Sequence, residues 1–297
     1  MKNFITYFYG VNPKTIRYGK TGYFFSDEKN EYVLKENIRK KEELYELLDL
    51  TDYLRQFGIY FHEIILNNFN DVESYINGKN YVLLKVSSKG NRNISFNDIL
   101  KLTGIEVKKE YKYIVRSNWN ALWREYMDYI ESVLPSYQKN NDEVTAYVDY
   151  NIGLVENAIQ LLSDMKGKGN NICHIRLNPK MTLIEFYNPC NVVLDSKSRD
   201  FCEYYRSSLD DNIIPLEQVQ LSHLNVFEQQ LFFIRFLYNI TFFDALINHD
   251  ESNGRDNDLK YEELFNNVSS HEKAIKSIYK YYFKSVLPEI EWIKKAS

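Results

Sequence analysis

The chain has 297 residues, of which 44% are hydrophobic and 26% are charged, and its formal net charge is −4. This length allows one large core or two lobes, and no apolar run is long enough to span a membrane. The N-terminus excludes an ordinary secretory signal because no long apolar region precedes Lys14, and the mild acidity gives no indication of a nucleic-acid partner.

Residues 1–86 predict a small antiparallel sheet around one helix. A charged helical run extends from about Arg39 to Phe57 and ends at Gly58, since glycine readily ends a helix. Asn77-Gly78 predicts a tight hairpin because both residues tolerate positive φ. The expected strands are Gly22–Ser26, Tyr32–Lys35, Ile59–Leu66, Val72–Ile76 and Tyr81–Val86.

Beyond this sheet the pattern becomes mainly helical. The polar, glycine-containing segment 87–95 predicts a linker between two lobes, and residues 96–297 predict a helical lobe. One helix carries the aromatic stripe Trp119, Trp123 and Tyr126, which we interpret as core. The expected helices are Phe96–Leu102, Ser117–Leu134, Asp142–Met165, Ser198–Ser207 and Asn225–Leu246. Short strands are expected at Ile172–Leu177, Thr182–Phe186 and Asn191–Leu194.

The three cysteines, Cys173, Cys190 and Cys202, are odd in number and lack C-x-x-C spacing. A reduced, cytoplasmic setting is therefore expected. Together with His174 they lack any standard zinc-ligand spacing, which argues against a zinc site. Cys173 and His174 are neighbours and would point to opposite faces of a strand, so they cannot form a catalytic dyad.

Four segments of the chain resemble those of one known family. They are Tyr32-Val-Leu-Lys35, Ile172-Cys-His-Ile-Arg176, Asp195-Ser-Lys-Ser-Arg-Asp-Phe-Cys-Glu-Tyr-Tyr-Arg206 and Phe227-Glu-Gln-Gln-Leu-Phe-Phe-Ile-Arg-Phe-Leu-Tyr238. The third is similar to the family segment D-H-P-S-R-D-L-A-E-W-x-R and is the most distinctive. With the order of elements, these segments resemble the spore-coat putative kinase family (CotS/YutH type) of the aminoglycoside/choline phosphotransferase-like, protein-kinase-like superfamily.

The resemblance implies an α+β, two-lobed protein-kinase-like fold, with a small antiparallel β lobe that has one helix and a large helical lobe. In active kinase-like enzymes a lysine on the third strand holds the nucleotide phosphates and pairs with a helix glutamate. Lys35 fits that lysine, and Glu43 or Glu46 fits its partner. The alternative is a solvent-facing lysine at a strand end beside an ordinary charged helix face.

The segment that corresponds to the catalytic loop lacks two groups that the chemistry requires. Phosphoryl transfer needs an Asp to accept the hydroxyl proton and an Asn to hold metal. Arg176 stands at the place of that Asp, and a guanidinium keeps its proton. Met181 stands at the place of the Asn, and a thioether has no affinity for a hard cation. His174 is expected to be a buried structural residue.

Two aspartates follow the last expected strand. Asp195 ends that strand and is a candidate either for the second metal ligand or for the cap of the next helix. Asp200 resembles the family's structural Asp, which hydrogen-bonds the amides of a loop. The segment between them is shorter than in active relatives.

We therefore expect a catalytically degenerate kinase-like protein, or pseudokinase, rather than an enzyme. The resemblance implies a soluble interaction or assembly protein of the spore coat, produced during sporulation and found in the cytoplasm or on the coat. It implies protein partners, with no nucleic acid and no membrane span.

Two alternatives remain open from the sequence. One is an active phosphotransferase that uses ATP and Mg²⁺ with a non-standard acid/base set, built on Glu185 or Asp195. Glu185 lies in an otherwise apolar run, which makes it a candidate for a displaced carboxylate. The other is a pseudokinase that binds a ligand, in which Lys35 and Arg176 hold an anion without chemistry.

Overall fold

The computed structural model describes residues 1–19, 22–87, 90, 92–133, 142–165, 167–209, 221–239, 242–244, 246, 257–280 and 290. The chain divides into two compact units. The first contains Met1–Ile94, Lys108–Val115 and Lys180–Val193, and the second contains Ser95–Val107, Arg116–Pro179 and Leu194–Ser297. The described elements are, in chain order, α1 (Lys2–Tyr9), β1 (Ile16–Gly19), β2 (Gly22–Ser26), β3 (Glu31–Glu36), α2 (Lys41–Arg55), β4 (Glu63–Ile65), β5 (Ser74–Ile76), β6 (Lys79–Lys85), α3 (Phe96–Thr103), α4 (Trp119–Val133), α5 (Asp142–Ser163), β7 (Asn171–His174), α6 (Leu183–Phe186), β8 (Val192–Asp195), α7 (Ser198–Arg206), α8 (Val226–Leu237) and α9 (Asn257–Ile278).

The division into units is less simple than the linear one into 1–86 and 96–297. The boundary after Ile94 falls within the predicted linker 87–95, of which residues 88, 89 and 91 lie outside the described residues. Segments 108–115 and 180–193 return to the first unit. The difference arises because long-range hydrogen bonds hold both segments there, and local sequence patterns do not report such bonds.

The first unit is built on an antiparallel sheet with the strand order β1-β2-β3-β6-β4, and β5 also pairs with β6. The side chains of β3 alternate as expected, since Tyr32 and Leu34 pack into one core cluster with Phe4 and Ile5 of α1. The sequence analysis missed α1 and β1. The predicted strands at 59–66 and 72–76 are shorter in the structure, at Glu63–Ile65 and Ser74–Ile76.

The predicted hairpin between β5 and β6 is confirmed. Asn77 and Gly78 have φ angles of 49° and 82°, the left-handed values that a two-residue turn of this kind requires. Ile76 and Lys79 pair directly across the turn. The tight connection places β6 beside β3, where Lys35 pairs with Val82.

The second unit is mainly helical, and its two-stranded sheet is formed by β7 with β8, the strand that ends at Asp195. Helix α3 begins after Ser95, as predicted, with a capping box completed by Asp98. Helix α8 ends at Leu237 rather than at Leu246. Among the described residues, no helix combines the length and the apolar character that crossing a bilayer requires.

The strand predicted over Thr182–Phe186 is wrong, because this segment contains the short helix α6. The Thr182 hydroxyl accepts a hydrogen bond from the backbone N–H of Glu185, and the Glu185 carboxylate accepts one from the backbone N–H of Thr182. This reciprocal capping box stabilises a helical turn. It outweighs the strand preference of the apolar residues inside it.

Candidate functional site

Asp195 is a carboxylate of the second unit that four hydrogen-bond donors hold in place. It ends β8 and is completely buried. Its Oδ1 accepts hydrogen bonds from Trp119 Nε1 at 2.6 Å and Arg235 Nη2 at 2.7 Å, and also from the backbone N–H of Ser196 at 2.7 Å. Its Oδ2 accepts from Arg199 Nη1 at 3.0 Å. Two guanidinium groups and two neutral donors therefore surround one carboxylate.

This environment does not fit a metal ion. Four donors already bind this carboxylate, three on Oδ1 and one on Oδ2, and two of them are guanidinium groups. Mg²⁺ needs free oxygen ligands in nearly octahedral geometry. Among the described residues, no group of three or more His, Cys, Asp or Glu side chains is placed to hold a metal. The alternative role of Asp195 as a helix cap is wrong, since the N-cap of α7 is Lys197.

Arg199 connects this carboxylate to the loop after β7. Its Nε donates to the carbonyl oxygen of His174 at 2.7 Å, and its Nη2 donates to that of Ile175 at 3.0 Å. The same guanidinium binds Asp195 through Nη1. One side chain thus fixes the strand end and the loop together. Gly169 lies so close to the backbone of Asp195 and Ser196 that any Cβ would overlap it.

His174 and Asp200 form a second buried pair in this unit. Both side chains are fully buried. Asp200 Oδ1 accepts from the backbone N–H of His174 at 2.8 Å, and Oδ2 lies 2.6 Å from His174 Nδ1. These contacts fix the loop after β7, which is the kind of structural role that the sequence assigned to both residues.

Arg176, which the sequence resemblance aligns with the catalytic Asp, is about half exposed and pairs with Asp244 at 2.8 Å. Tyr126 donates its hydroxyl hydrogen to the other oxygen of Asp244. A guanidinium cannot accept the proton of a substrate hydroxyl. Glu185, the candidate for a displaced base, instead accepts from the backbone N–H and hydroxyl of Thr182, so its observed work is to cap α6.

The expected pair between Lys35 and Glu46 in the first unit is not formed. Lys35 lies on β3 and has no ion pair with any described carboxylate. Glu46 accepts hydrogen bonds from three successive backbone N–H groups, those of residues 112–114, at 2.8–2.9 Å. Glu43, the other candidate, pairs with Arg39 at 2.6 Å. Both glutamates hold parts of the fold together.

The buried cysteines Cys173 and Cys202 provide no reactive group. All three cysteines of the chain are free. Burial raises the pKa of Cys173 well above its usual value, and the neighbouring charge of Asp200 raises it further. Burial also raises the pKa of Cys202 to about 11, although Arg206 opposes the shift. Both thiols therefore stay protonated at neutral pH and are poor nucleophiles and metal ligands.

The sequence analysis missed the three side chains that hold Asp195. Arg199 lies four residues after Asp195, within the most distinctive motif, so this pair could have been predicted from the sequence spacing. Arg235 interrupts the apolar run of α8, and a cation in such a run is rarely buried without a partner. Trp119 gave no signal beyond its place in the aromatic stripe, which was interpreted as core alone. The stripe does more than that, because Trp119 also donates to Asp195 and Tyr126 to Asp244.

One protein-family model, described as "Spore coat putative kinase YutH", matches residues 2–281. No curated protein matches the chain.

Solved structures show the same fold at low sequence identity. Amicoumacin kinase hAmiN has a TM-score of 0.62 and 14% identity, over 91% of this chain and 91% of its own. An aminoglycoside phosphotransferase from Alicyclobacillus acidocaldarius has a TM-score of 0.60 and 10% identity, over 93% and 96%. Spectinomycin phosphotransferase APH(9)-Ia has a TM-score of 0.57 and 13% identity, over 90% and 92%. The kinase-like α+β fold predicted from the sequence is confirmed.

Proposed function

The chain belongs to the spore coat putative kinase YutH family, and from this premise we propose that it is a catalytically degenerate, kinase-like member of that family. One observation carries the proposal. Asp195 ends β8, where the metal-binding Asp of a kinase-like enzyme belongs, and it is bound by Trp119, Arg199 and Arg235. A carboxylate that two guanidinium groups neutralise is a poor ligand for Mg²⁺, because its charge is already balanced and Mg²⁺ needs oxygen ligands in nearly octahedral geometry.

Three further departures support the same proposal. Arg176 stands where the proton acceptor belongs, and Met181 stands where a metal-binding Asn belongs. Lys35 pairs with no glutamate in the described part of the chain, whereas the lysine of an active kinase is positioned by one. Loss of a general base alone costs about 10²–10⁴ in rate, which corresponds to roughly 3–5 kcal/mol of barrier. The departures together remove proton transfer, metal binding and lysine positioning.

The test of this proposal is an ATP turnover assay on the purified protein with Mg²⁺. We expect phosphate release at the rate of a buffer blank, and the same melting temperature with the nucleotide in Mg²⁺ as in EDTA. Lys35→Ala serves as the variant that leaves the fold intact, because Lys35 forms no ion pair with a described residue. The proposal would be overturned if the wild type turned over ATP and Lys35→Ala or Asp195→Ala abolished that turnover.

The cellular role that we propose is assembly of the spore coat through protein partners. Membership of a spore-coat family supports it. A fluorescent fusion expressed in a spore-forming host should move from the cytoplasm to the spore surface, and should be extracted with the coat fraction. A fusion that stays cytoplasmic throughout sporulation, in spores with a normal coat, would contradict this role.

A further inference from the structure

The second unit contains a cavity of about 210 Å³ that the proposed function does not explain. Its charged lining is almost entirely cationic: Arg116, Arg176, Arg199, Arg206, Arg235 and Glu203. Aromatic side chains form the apolar part of the wall, where the rings of Trp123 and Tyr238 are stacked with their centroids 4.5 Å apart. The concentration of arginine in so small a volume requires an explanation.

Most of these guanidinium groups already have carboxylate partners. Arg199 and Arg235 share Asp195, and Arg206 binds Glu203 at 2.8 Å. Arg176 binds Asp244 at the exposed side of the unit. Within the described part of the chain, these four guanidinium groups share three carboxylates, those of Asp195, Glu203 and Asp244. The cavity therefore has a positive potential, and a small anion would complete its charge balance.

Arg206 and Arg235 each have a buried donor without an acceptor in the described part of the chain. The side chains of Arg206 and Arg235 are more than nine-tenths buried, with 6% and 8% exposure. The Nε–H group of each has no hydrogen-bond acceptor among the described residues. A buried donor that has no acceptor destabilises the folded state. Both Nε atoms have almost no accessible surface, so an anion in the cavity would reach these two arginines only through their Nη groups.

We propose that this arginine-lined cavity binds a phosphate group, either as inorganic phosphate or as a small phosphate monoester. Guanidinium groups bind phosphate through paired, charge-assisted hydrogen bonds, and several of them can share one tetrahedral anion. The volume is below the roughly 300–1,000 Å³ of sites for drug-sized ligands, so the ligand is small. The aromatic wall of Trp123 and Tyr238 gives room for a short carbon group beside the phosphate.

This inference goes beyond the proposed function and does not depend on it. A phosphate site built from arginine requires neither ATP nor Mg²⁺. Its test omits nucleotide and metal, so that failure of one proposal is distinguishable from failure of the other.

The test is calorimetric titration of the full chain with inorganic phosphate and, separately, with phosphoserine, at an ionic strength matched with sodium chloride. We expect saturable binding of at least one of them. Arg176→Gln and Arg116→Gln should each weaken it about tenfold, the effect of losing one charge-assisted hydrogen bond. Arg124→Gln is the matched control, because this arginine is exposed on α4 and does not line the cavity. The preferred titrant tells whether free phosphate or a monoester is the ligand.

A second measurement uses the wild-type protein and needs no variant to fold. Phenylglyoxal modifies accessible arginines, and mass spectrometry locates the products. Bound phosphate should protect Arg176 but leave Arg124 reactive. The proposal is overturned if neither titrant binds more tightly than chloride, if the Arg176 and Arg116 variants bind like the wild type, or if phosphate protects both arginines equally.

Discussion

At the scale of single residues, the account depends on how one buried carboxylate is satisfied. Asp195 ends a strand, as the sequence predicts, but its side-chain partners Trp119 and Arg235 lie 76 and 40 residues away in the chain. Of its side-chain partners, only Arg199 lies near it in sequence. The position of the carboxylate was therefore predictable and its chemistry was not, because periodicity and motif spacing report local structure.

The hydrogen bond from Trp119 to Asp195 can be tested by a conservative substitution. Trp119→Phe keeps an aromatic ring but leaves the buried carboxylate with one donor fewer. We expect the free energy of unfolding to fall by about 1–3 kcal/mol more than loss of ring size alone explains. Urea unfolding, followed by circular dichroism, measures the difference.

Trp123→Phe is the matched control for this prediction. Trp123 lies one turn further along α4, is buried to a similar extent, and stacks on Tyr238 rather than on a carboxylate. Arg235 lies over both indole rings, at 5.5 Å and 5.9 Å, so that contact is shared. Equal losses of stability in the two variants would mean that the bond to Asp195 contributes nothing beyond packing.

At the scale of elements, the sequence indicates helix caps well, but it does not indicate hydrogen bonds between distant parts of the chain. Ser95 with Asp98 marks the start of α3, and that start was predicted correctly. Thr182 and Glu185 form the same kind of capping box at the start of α6, although the apolar residues of this segment favour a strand. The hydrogen bonds of Glu46 could not be predicted from local patterns, because its partners lie more than sixty residues further along the chain.

Glu46 should hold residues 112–114 against α2. Glu46→Gln keeps the shape of the side chain but removes the charge that its three backbone N–H partners bind. We expect the amides of residues 112–114 to exchange hydrogen at least about tenfold faster, since one lost charge-assisted bond is worth about 1.5–3 kcal/mol. Glu42→Gln, an exposed position on the same helix, should leave these rates unchanged. Equal exchange in both variants would contradict the prediction.

His271 joins α9 to α8 and should make the fold sensitive to acid. It is buried, and its Nε2 donates to the carbonyl oxygen of Phe236 at 2.7 Å. Burial lowers its pKa from 6.5 to about 3. Between these values the unfolded chain binds a proton that the folded chain does not, so stability falls as the pH falls. The expected loss from this residue is about 2 kcal/mol between pH 7 and pH 5.

The measurement is urea unfolding at pH 5, 6 and 7 for the wild type, His271→Gln and His223→Gln. The His271 variant should lose about 2 kcal/mol less than the wild type when the pH falls from 7 to 5. The His223 variant should behave like the wild type, because His223 is exposed. An unchanged pH dependence in the His271 variant would show that this histidine does not resist protonation.

At the scale of the whole molecule, the order of helices and strands is the feature of the sequence that best predicts the fold. A strand-rich first part with one internal hairpin, a helical second part and the segment from Asp195 to Arg206 were sufficient to indicate the kinase-like fold and the family. The composition of the compact units was not predictable in the same way. Segments 108–115 and 180–193 return to the first unit through hydrogen bonds that connect distant parts of the chain.

The most direct test of the central claim is a crystal structure of the protein grown with Mn²⁺ and a non-hydrolysable ATP analogue, with the metal located by its anomalous scattering. The account predicts no anomalous peak at Asp195, whose oxygens should remain bonded to Trp119, Arg199 and Arg235. A manganese peak at about 2.1 Å from an Asp195 oxygen, with Arg199 and Arg235 turned away, would contradict it.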